Sequence, residues 1–314
     1  MTGHAVVEQV AGTFEIRARG PFSFRASVRF LEGFAPAAYD RADRAGLRLA
    51  FPADGTWETA GAWIVPMDDD AGVIIETTGG GDAERVRDQV ARILSLDVDG
   101  TGYDGVIDRD PVLRSLWVRY EGLRPVLFHS PYEAAAWAII GNRIRITQAA
   151  RIKTRMADDL GDQLVIAGEP VAAFPAPERL SCLEGFPGLS ERKIGFLRSL
   201  GDAATAGHLA LESLRSLSPE AARQHLKELP GIGDFSAELI MIRAVGEIDR
   251  VPVTESRCAG AVQRFYELDH EPDPDQNRAI SDRWQPFRSW VSVMLRAALE
   301  DAATHEIGGK MRSS

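Results

Sequence analysis

Residues 219–246 read PEAARQHLKELPGIGDFSAELIMIRAVG, and the fold turns on their centre, Leu229-Pro230-Gly231-Ile232-Gly233. Ser218-Pro219-Glu220 is a helix start, with a capping hydroxyl and a proline at the first helical position. The spacing predicts a helix over 219–228, a stop at Pro230, and a second helix over 234–246. Two glycines admit positive φ between them, so the chain reverses sharply and leaves backbone N–H groups unpaired where the second helix begins. Such a nest at a helix N-terminus suits a phosphate oxygen. Across the turn, the carbonyls of Lys227, Leu229 and Gly231 could hold a monovalent cation. Phe186-Pro187-Gly188-Leu189-Ser190 is an earlier, partial copy without the second glycine, and it reads as a helix corner.

Around this hairpin the apolar period is helical from residue 113 onward. Helices are expected near 112–121, 131–142, 147–160, 191–204, 219–228, 234–246, 256–267, 275–285 and 287–303, giving an all-helical domain over 113–314. Residues 1–112 read differently. Strands are expected at Thr13–Arg19, Leu47–Phe51, Trp63–Met67 and Val73–Thr77, with helices over Phe24–Gly33 and from an Asp82 cap to Leu96. This part is α+β, a small antiparallel sheet with two helices. The segment 97–111, DVDGTGYDGVIDRDP, reads as the linker. Its aspartates lack the terminal bidentate glutamate of a calcium loop.

The chain has 314 residues and a formal charge of −10, a length that suits about two domains. No run approaches the roughly 18 apolar residues of a membrane span. The N-terminus, MTGHAVVEQVAGTFE, has no secretory signature, so a cytoplasmic protein is expected. Two cysteines, Cys182 and Cys258, exclude a disulfide framework and an all-cysteine metal cluster. The six histidines show no ligand spacing. Residues 1–112 carry 11 basic against 19 acidic residues, a net of −8, whereas 113–314 carry 25 against 27, a net of −2. Arg143, Arg145, Arg151, Lys153 and Arg155 form a basic run with no intervening acid. A nucleic-acid face is therefore expected in the second part.

After the hairpin, GEIDRVPVTESRC brings an acidic residue, Glu255, to a helix start about 25 residues beyond Pro230. With FHSPYEAAAWAIIGNRI (128–144) and WQPFRSWVSVMLRAAL (284–299), this order resembles the helix–hairpin–helix DNA glycosylases, in particular the 3-methyladenine DNA glycosylase II, or alkylation-repair, branch. The resemblance implies a TATA-binding-protein-like α+β domain over 1–112 and a helix–hairpin–helix glycosylase domain over 113–314. It places Glu255 at the position of the catalytic aspartate. It also puts Asn142, Arg143 and Arg145 on the DNA-probing loop, and Leu229, Gly231, Ile232 and Gly233 on the backbone-binding hairpin. Phe235, Leu239 and Arg296 fall at base-pocket positions. Several residues depart from the family pattern: an acid with a longer stem at 255, arginines at 143 and 296, Leu239 for an aromatic. Asp234 sits beside the phosphate nest. Phe235 occupies the position where lyase-type members carry a lysine, which implies a monofunctional enzyme.

Glycosidic cleavage of a nucleoside passes through an oxocarbenium-like sugar, which a single carboxylate can stabilise while it orients water. The base must first leave the stack. Arg143 is expected either to fill the vacated gap or to contact phosphate, and Arg296 to pair with Glu255 or Glu300. The resemblance thus implies a monomeric enzyme without cofactor, acting on duplex DNA with damaged bases, with no membrane or protein partner expected. The rival is a DNA-damage binder whose glycosylase site has degenerated. Asp249 is read as a loop cap, Glu238 as a surface residue, Trp137, Trp284 and Trp290 as structural, and Cys258 as packing.

Overall fold

The computed structural model describes residues 10–33, 41–42, 46–253 and 255–312. His4, most of the N-terminal stretch and Thr254 lie outside them, as do the side chains of His305 and Lys310. Strand β1 (Val10–Arg17) is followed by helix α1 (Phe24–Gly33), the two-residue β2 (Arg41–Ala42), β3 (Leu47–Pro52), β4 (Thr59–Pro66), β5 (Gly72–Gly79) and α2 (Ala83–Ile93). The strands form one antiparallel sheet in the order β1-β5-β4-β3-β2. Register places Ile64 opposite both Leu47 and Ile75, stacking buried aliphatics on the face that carries the helices. Asp82 caps α2 by accepting from the Glu84 and Arg85 N–H groups at 3.0 Å each, a contact commonly worth about 1 kcal/mol.

The expected linker is not an open loop. It carries a short helix, α3 (Tyr103–Asp108), whose Tyr103, Val106 and Ile107 are buried. Glycines at 100, 102 and 105 hide that helix in the sequence, and burial of three apolar side chains secures it. Then come α4 (Pro111–Tyr120), α5 (Pro131–Gly141) and α6 (Ile146–Leu160).

Two strands, β6 (Gln163–Ile166) and β7 (Glu169–Ala172), interrupt the helical part, which is therefore not all-α. They make a hairpin through Ala167 (φ 46°) and Gly168 (φ 76°), the paired positive φ values of a tight turn. The hairpin seats Leu164, Ile166, Val171 and Ala173 against Ala50 and Trp63 on the outer face of the sheet. The approach is close: a Cβ at Gly61 would lie 2.7 Å from Ile166 Cδ1. Beyond it run α7 (Pro177–Ser181), α8 (Glu191–Thr205), α9 (Leu211–Ser216), α10 (Pro219–Lys227), α11 (Asp234–Ile240), α12 (Ser256–Phe265), α13 (Pro274–Ser281) and α14 (Arg288–Arg312).

One hydrophobic cluster joins Leu49, Ile64 and Val90 to Tyr132, Ile139, Leu197 and Ile240, crossing the junction at 112/113. Two buried arginines stitch the same junction. Arg92 donates to the carbonyls of Phe128, His129 and Ala244 and to Asp54. Arg124 donates to Pro21, Ser95, Val98 and Arg19, and burial pushes its guanidinium down to about 10. A second cluster gathers Tyr103, Trp284, Phe287 and Trp290. Trp284 donates its indole N–H to the Tyr266 hydroxyl at 3.0 Å, and that hydroxyl donates to Asp110 at 2.6 Å. Trp137 is buried in the first cluster and Trp290 in the second, as structural roles require.

Candidate active site

The hairpin is built as its residues dictate. Ser218 caps α10 by accepting from the Ala221 N–H at 3.3 Å. The helix closes at Lys227, and the Ile232 N–H donates to the Leu229 carbonyl at 3.1 Å. Gly231 has φ +89°, and a Cβ there would meet Phe196 Cδ2 at 2.6 Å, so this position requires glycine twice over. Gly233 has ordinary backbone angles and open space where a Cβ would stand. As the N-cap of α11 it supplies no side chain to the first-turn N–H groups. The earlier copy has the same turn, with Gly188 at φ +89° and Leu189 N–H donating to Phe186 O at 3.1 Å. There, however, Ser190 caps its own helix by accepting from the Lys193 N–H. Asp234 is held by Lys227 at 2.6 Å, so the acid beside the hairpin is accompanied by a cation. The Leu229 carbonyl keeps one lone pair beyond its turn bond.

Helix α11 passes into a single π-helical stretch, Met241–Val245, ended by Gly246 at φ +86°. Phe235, Glu238, Leu239, Ile242 and Arg243 fall at the i, i+3, i+4, i+7, i+8 spacing of one helix face. These five line a cavity of about 30 Å³ with Pro252, Glu255, Cys258, Ser289, Ser292, Val293 and Arg296. Phe235 is 49% exposed and is an apolar ring at the cavity, not a core residue.

Glu255 is the residue before α12 and makes no cap with its side chain. Arg296 lies across it, Nη1 to Oε1 at 3.0 Å, and turns its Nε to Glu300 at 3.2 Å. Both expected pairings of Arg296 therefore form together. Arg257 flanks the same two acids at 4.0 and 3.5 Å. The Cys258 thiol lies 3.7 Å from Glu255 Oε2. Burial and then the Glu255 charge push that thiol far up, so it packs as a neutral group and supplies no nucleophile. Asp249 receives a forked pair from Arg288, at 2.7 and 2.9 Å, and accepts from the Arg288 N–H at the start of α14.

Of the residues anticipated from sequence, Glu255, Phe235, Leu239 and Arg296 meet in this cavity. Leu229, Gly231, Ile232 and Gly233 form the hairpin leading into its α11 wall. Asn142, Arg143 and Arg145 line no part of it; they form an exposed turn between α5 and α6, with Arg143 held at φ 57°. Positive φ in a long side chain is uncommon and marks a constrained turn. Lys193 supports the turn by donating to the Ile140 carbonyl at 2.7 Å.

Two expectations are corrected. Glu238 is not a surface residue: it is 3% exposed, faces the cavity and pairs with Arg250 at 3.3 Å. Its i+3 position from Phe235 was the available signal. Lys153 does not belong to the basic surface either. It is 2% exposed and pairs with the buried Glu133 at 2.5 Å, while Arg151 and Arg155 on the same helix stay exposed. Among the described residues no cluster of histidine, cysteine and carboxylates could hold a metal ion. None of the described helices is long and apolar enough to cross a membrane.

A sheet part is joined to a helical body, and a carboxylate-lined cavity follows directly after a proline–glycine hairpin. No protein-family model matches the chain. It is 22% identical over 206 residues to the DNA-3-methyladenine glycosylase of Bacillus subtilis, covering 64% of this chain and 68% of that one. It is 27% identical over 313 residues to a Mycobacterium tuberculosis protein described as a probable bifunctional transcriptional activator/DNA repair enzyme AlkA, covering 92% of this chain but 58% of that one. The 3-methyladenine DNA-glycosylase structure from Archaeoglobus fulgidus superposes with a TM-score of 0.74 at 23% identity, covering 90% of this chain and 97% of that chain. The relatives this chain resembles in sequence are thus described as 3-methyladenine glycosylases and DNA repair enzymes.

Proposed function

We propose that the protein is a monofunctional DNA glycosylase of base excision repair, hydrolysing the N-glycosidic bond of a damaged base flipped out of duplex DNA. The observation that carries this is the placement of Glu255: a part-buried carboxylate on the wall of a cavity with an exposed aromatic, Phe235, and reached directly from the hairpin. In this reading the first-turn N–H groups after Gly233 bind a backbone phosphate, the hairpin carbonyls of Lys227, Leu229 and Gly231 hold a monovalent cation, and the 142–145 turn probes the duplex. Glu255 faces the developing sugar cation and takes the proton of the attacking water. Phe235 stands where a Schiff-base lysine would be needed for lyase chemistry. Abasic-site formation on duplexes carrying single alkylated and deaminated bases tests the activity.

One observation favours the rival reading, a damage binder without efficient hydrolysis. Glu255 is already paired with Arg296 at 3.0 Å, so its carboxylate is engaged before any substrate arrives. Chemistry requires that pair to open. Binding of lesion duplexes with no abasic product would select the rival.

Two predictions concern DNA contact, and both are made for the full chain because the core crosses residue 112. Gly233→Ala is expected to weaken binding to damaged and undamaged duplexes alike, with unfolding unchanged, since its Cβ meets no protein atom. Gly231→Ala should lower thermal stability as well, by strain and by contact with Phe196. A loss restricted to damaged DNA would place Gly233 in base recognition instead. Arg143→Ala and Arg145→Ala should each reduce the slope of log affinity against log salt by about 1, as expected for one phosphate contact. Unchanged slopes in both variants would remove the turn from the DNA surface.

A further inference from the structure

The charges around the cavity are not those a cationic base requires. Arg243 and Arg296 both line it. Each carboxylate nearby already faces an arginine: Glu255 faces Arg296 and Arg257, Glu300 faces the same two, and Glu238 faces Arg250. Four arginines (243, 250, 257, 296) against three glutamates (238, 255, 300) leave the group at +1. Burial pushes the Arg243 guanidinium down to about 9, and the neighbouring Arg296 charge adds to the shift. Arg243 therefore remains cationic at neutral pH.

A flipped base brought over Glu255 meets the Arg296 guanidinium, which lies 3.0 Å from the carboxylate. Glu300 holds the other edge of that guanidinium at 3.2 Å. When Arg296 leaves Glu255 it stays anchored, with Nη1 released as a donor beside the incoming base. A base with a fixed positive charge would meet two guanidinium groups against one carboxylate, Glu255, which Arg257 still flanks at 4.0 Å. An uncharged base with ring-nitrogen or carbonyl acceptors would gain a charge-assisted hydrogen bond.

Resting on the glycosylase reading of the cavity, we propose that Arg296 is a specificity-determining residue that selects uncharged damaged bases over cationic alkylated ones. The chemistry agrees. As the C1′–N bond of an uncharged base breaks, its electron pair passes to the base, and the Arg296 charge stabilises the anion that results. Water oxygen bonds to C1′, its proton passes to Glu255, and the departing base takes a proton from solvent. A cationic base leaves neutral and needs no such help.

The test compares duplexes carrying hypoxanthine, which is uncharged, with duplexes carrying 7-methylguanine, which is cationic, by base release and by competition binding. The parent protein should favour hypoxanthine by about 10-fold or more, the scale of one charge-assisted hydrogen bond. Arg296→Gln should collapse that preference, chiefly by slowing hypoxanthine release. Arg296→Lys keeps the charge and should retain discrimination against 7-methylguanine. Faster release of 7-methylguanine by the parent, or an equal loss on both substrates in Arg296→Gln, overturns the assignment. If neither base is released, the glycosylase reading fails. The selectivity is then decided by binding alone, where tighter binding of hypoxanthine duplexes supports it and the reverse order overturns it.

Discussion

Glu255→Gln is expected to bind lesion duplexes about as the parent does and to lose on the order of 10²-fold or more of its excision rate. The substitution keeps the shape and polarity of the side chain and removes the charge that must face the developing sugar cation. Its effect on folding is small, because the site is a network: Arg296 retains Glu300, and Arg257 lies near both acids. Glu255→Asp is the more discriminating change. The carboxylate retreats by about one C–C bond, and a misplacement of about 1 Å can cost about 10²-fold. It also draws away from Arg296, now 3.0 Å distant. A site shaped around glutamate loses activity with aspartate, whereas a degenerate site gains it. Single-turnover base release measures both. Parent-like rates in Glu255→Gln would falsify the assignment of Glu255 to the chemistry.

The second large effect is expected away from the cavity, in the core. Glu133 is buried on α5 between Lys153 of α6, at 2.5 Å, and the His129 ring, at 3.0 Å. Burial alone would push its carboxyl up, but the charges of His129 and Lys153 outweigh that and hold it far below the usual carboxylate range. Lys153→Met preserves the stem and deletes the charge, leaving a buried carboxylate short of one of its two charged partners. Loss of one member of a buried pair costs about 3–5 kcal/mol, read in denaturant unfolding. The double variant Lys153→Met/Glu133→Leu should recover a substantial part of that loss, because no uncompensated charge remains. Strict additivity of the two single changes would show that the pair is not coupled. The pH dependence follows from the depressed carboxyl. Its stabilising contribution is complete above the unfolded-state value near 4.3 and is lost as pH falls below that toward the folded value. Acid unfolding of the parent should therefore begin below about pH 5, and Glu133→Gln should flatten that limb.

The elements legible in the sequence were those whose signal is local. Strands are expected at the places of β1, β3, β4 and β5, and the Asp82 and Ser218 caps fix two helix starts within a residue or two. The β6–β7 hairpin escaped because each strand has four residues and the turn is Ala167-Gly168, without the asparagine or aspartate that usually signals paired positive φ. Among site residues, Glu255, Phe235, Leu239 and Arg296 could be anticipated from order and resemblance. Glu238 and Arg243 stand at i+3 and i+8 from Phe235, on the same helix face, but charged residues on a helix usually face solvent and their type masked that signal. Lys153 was counted with its basic neighbours because proximity in sequence says nothing about which side of α6 faces the core. Residues 149, 150, 152, 153, 156 and 157 make that buried side.

The seat of the β6–β7 hairpin bears on how the protein can meet a double helix. A sheet that straddles DNA like a saddle must leave one broad side bare, so that its strands can press into the minor groove. Here the central strands have no bare side. Leu164, Ile166 and Val171 thatch β3 and β4 from without, and α1 and α2 roof them from within. Arg48, which on an uncovered sheet could reach a phosphate, donates to the Ile166 carbonyl at 3.1 Å and lies over the Trp63 ring. In the proposed reading the sheet serves as a buttress, bracing the helices that carry the hairpin and the cavity and leaving the grip on the duplex to them.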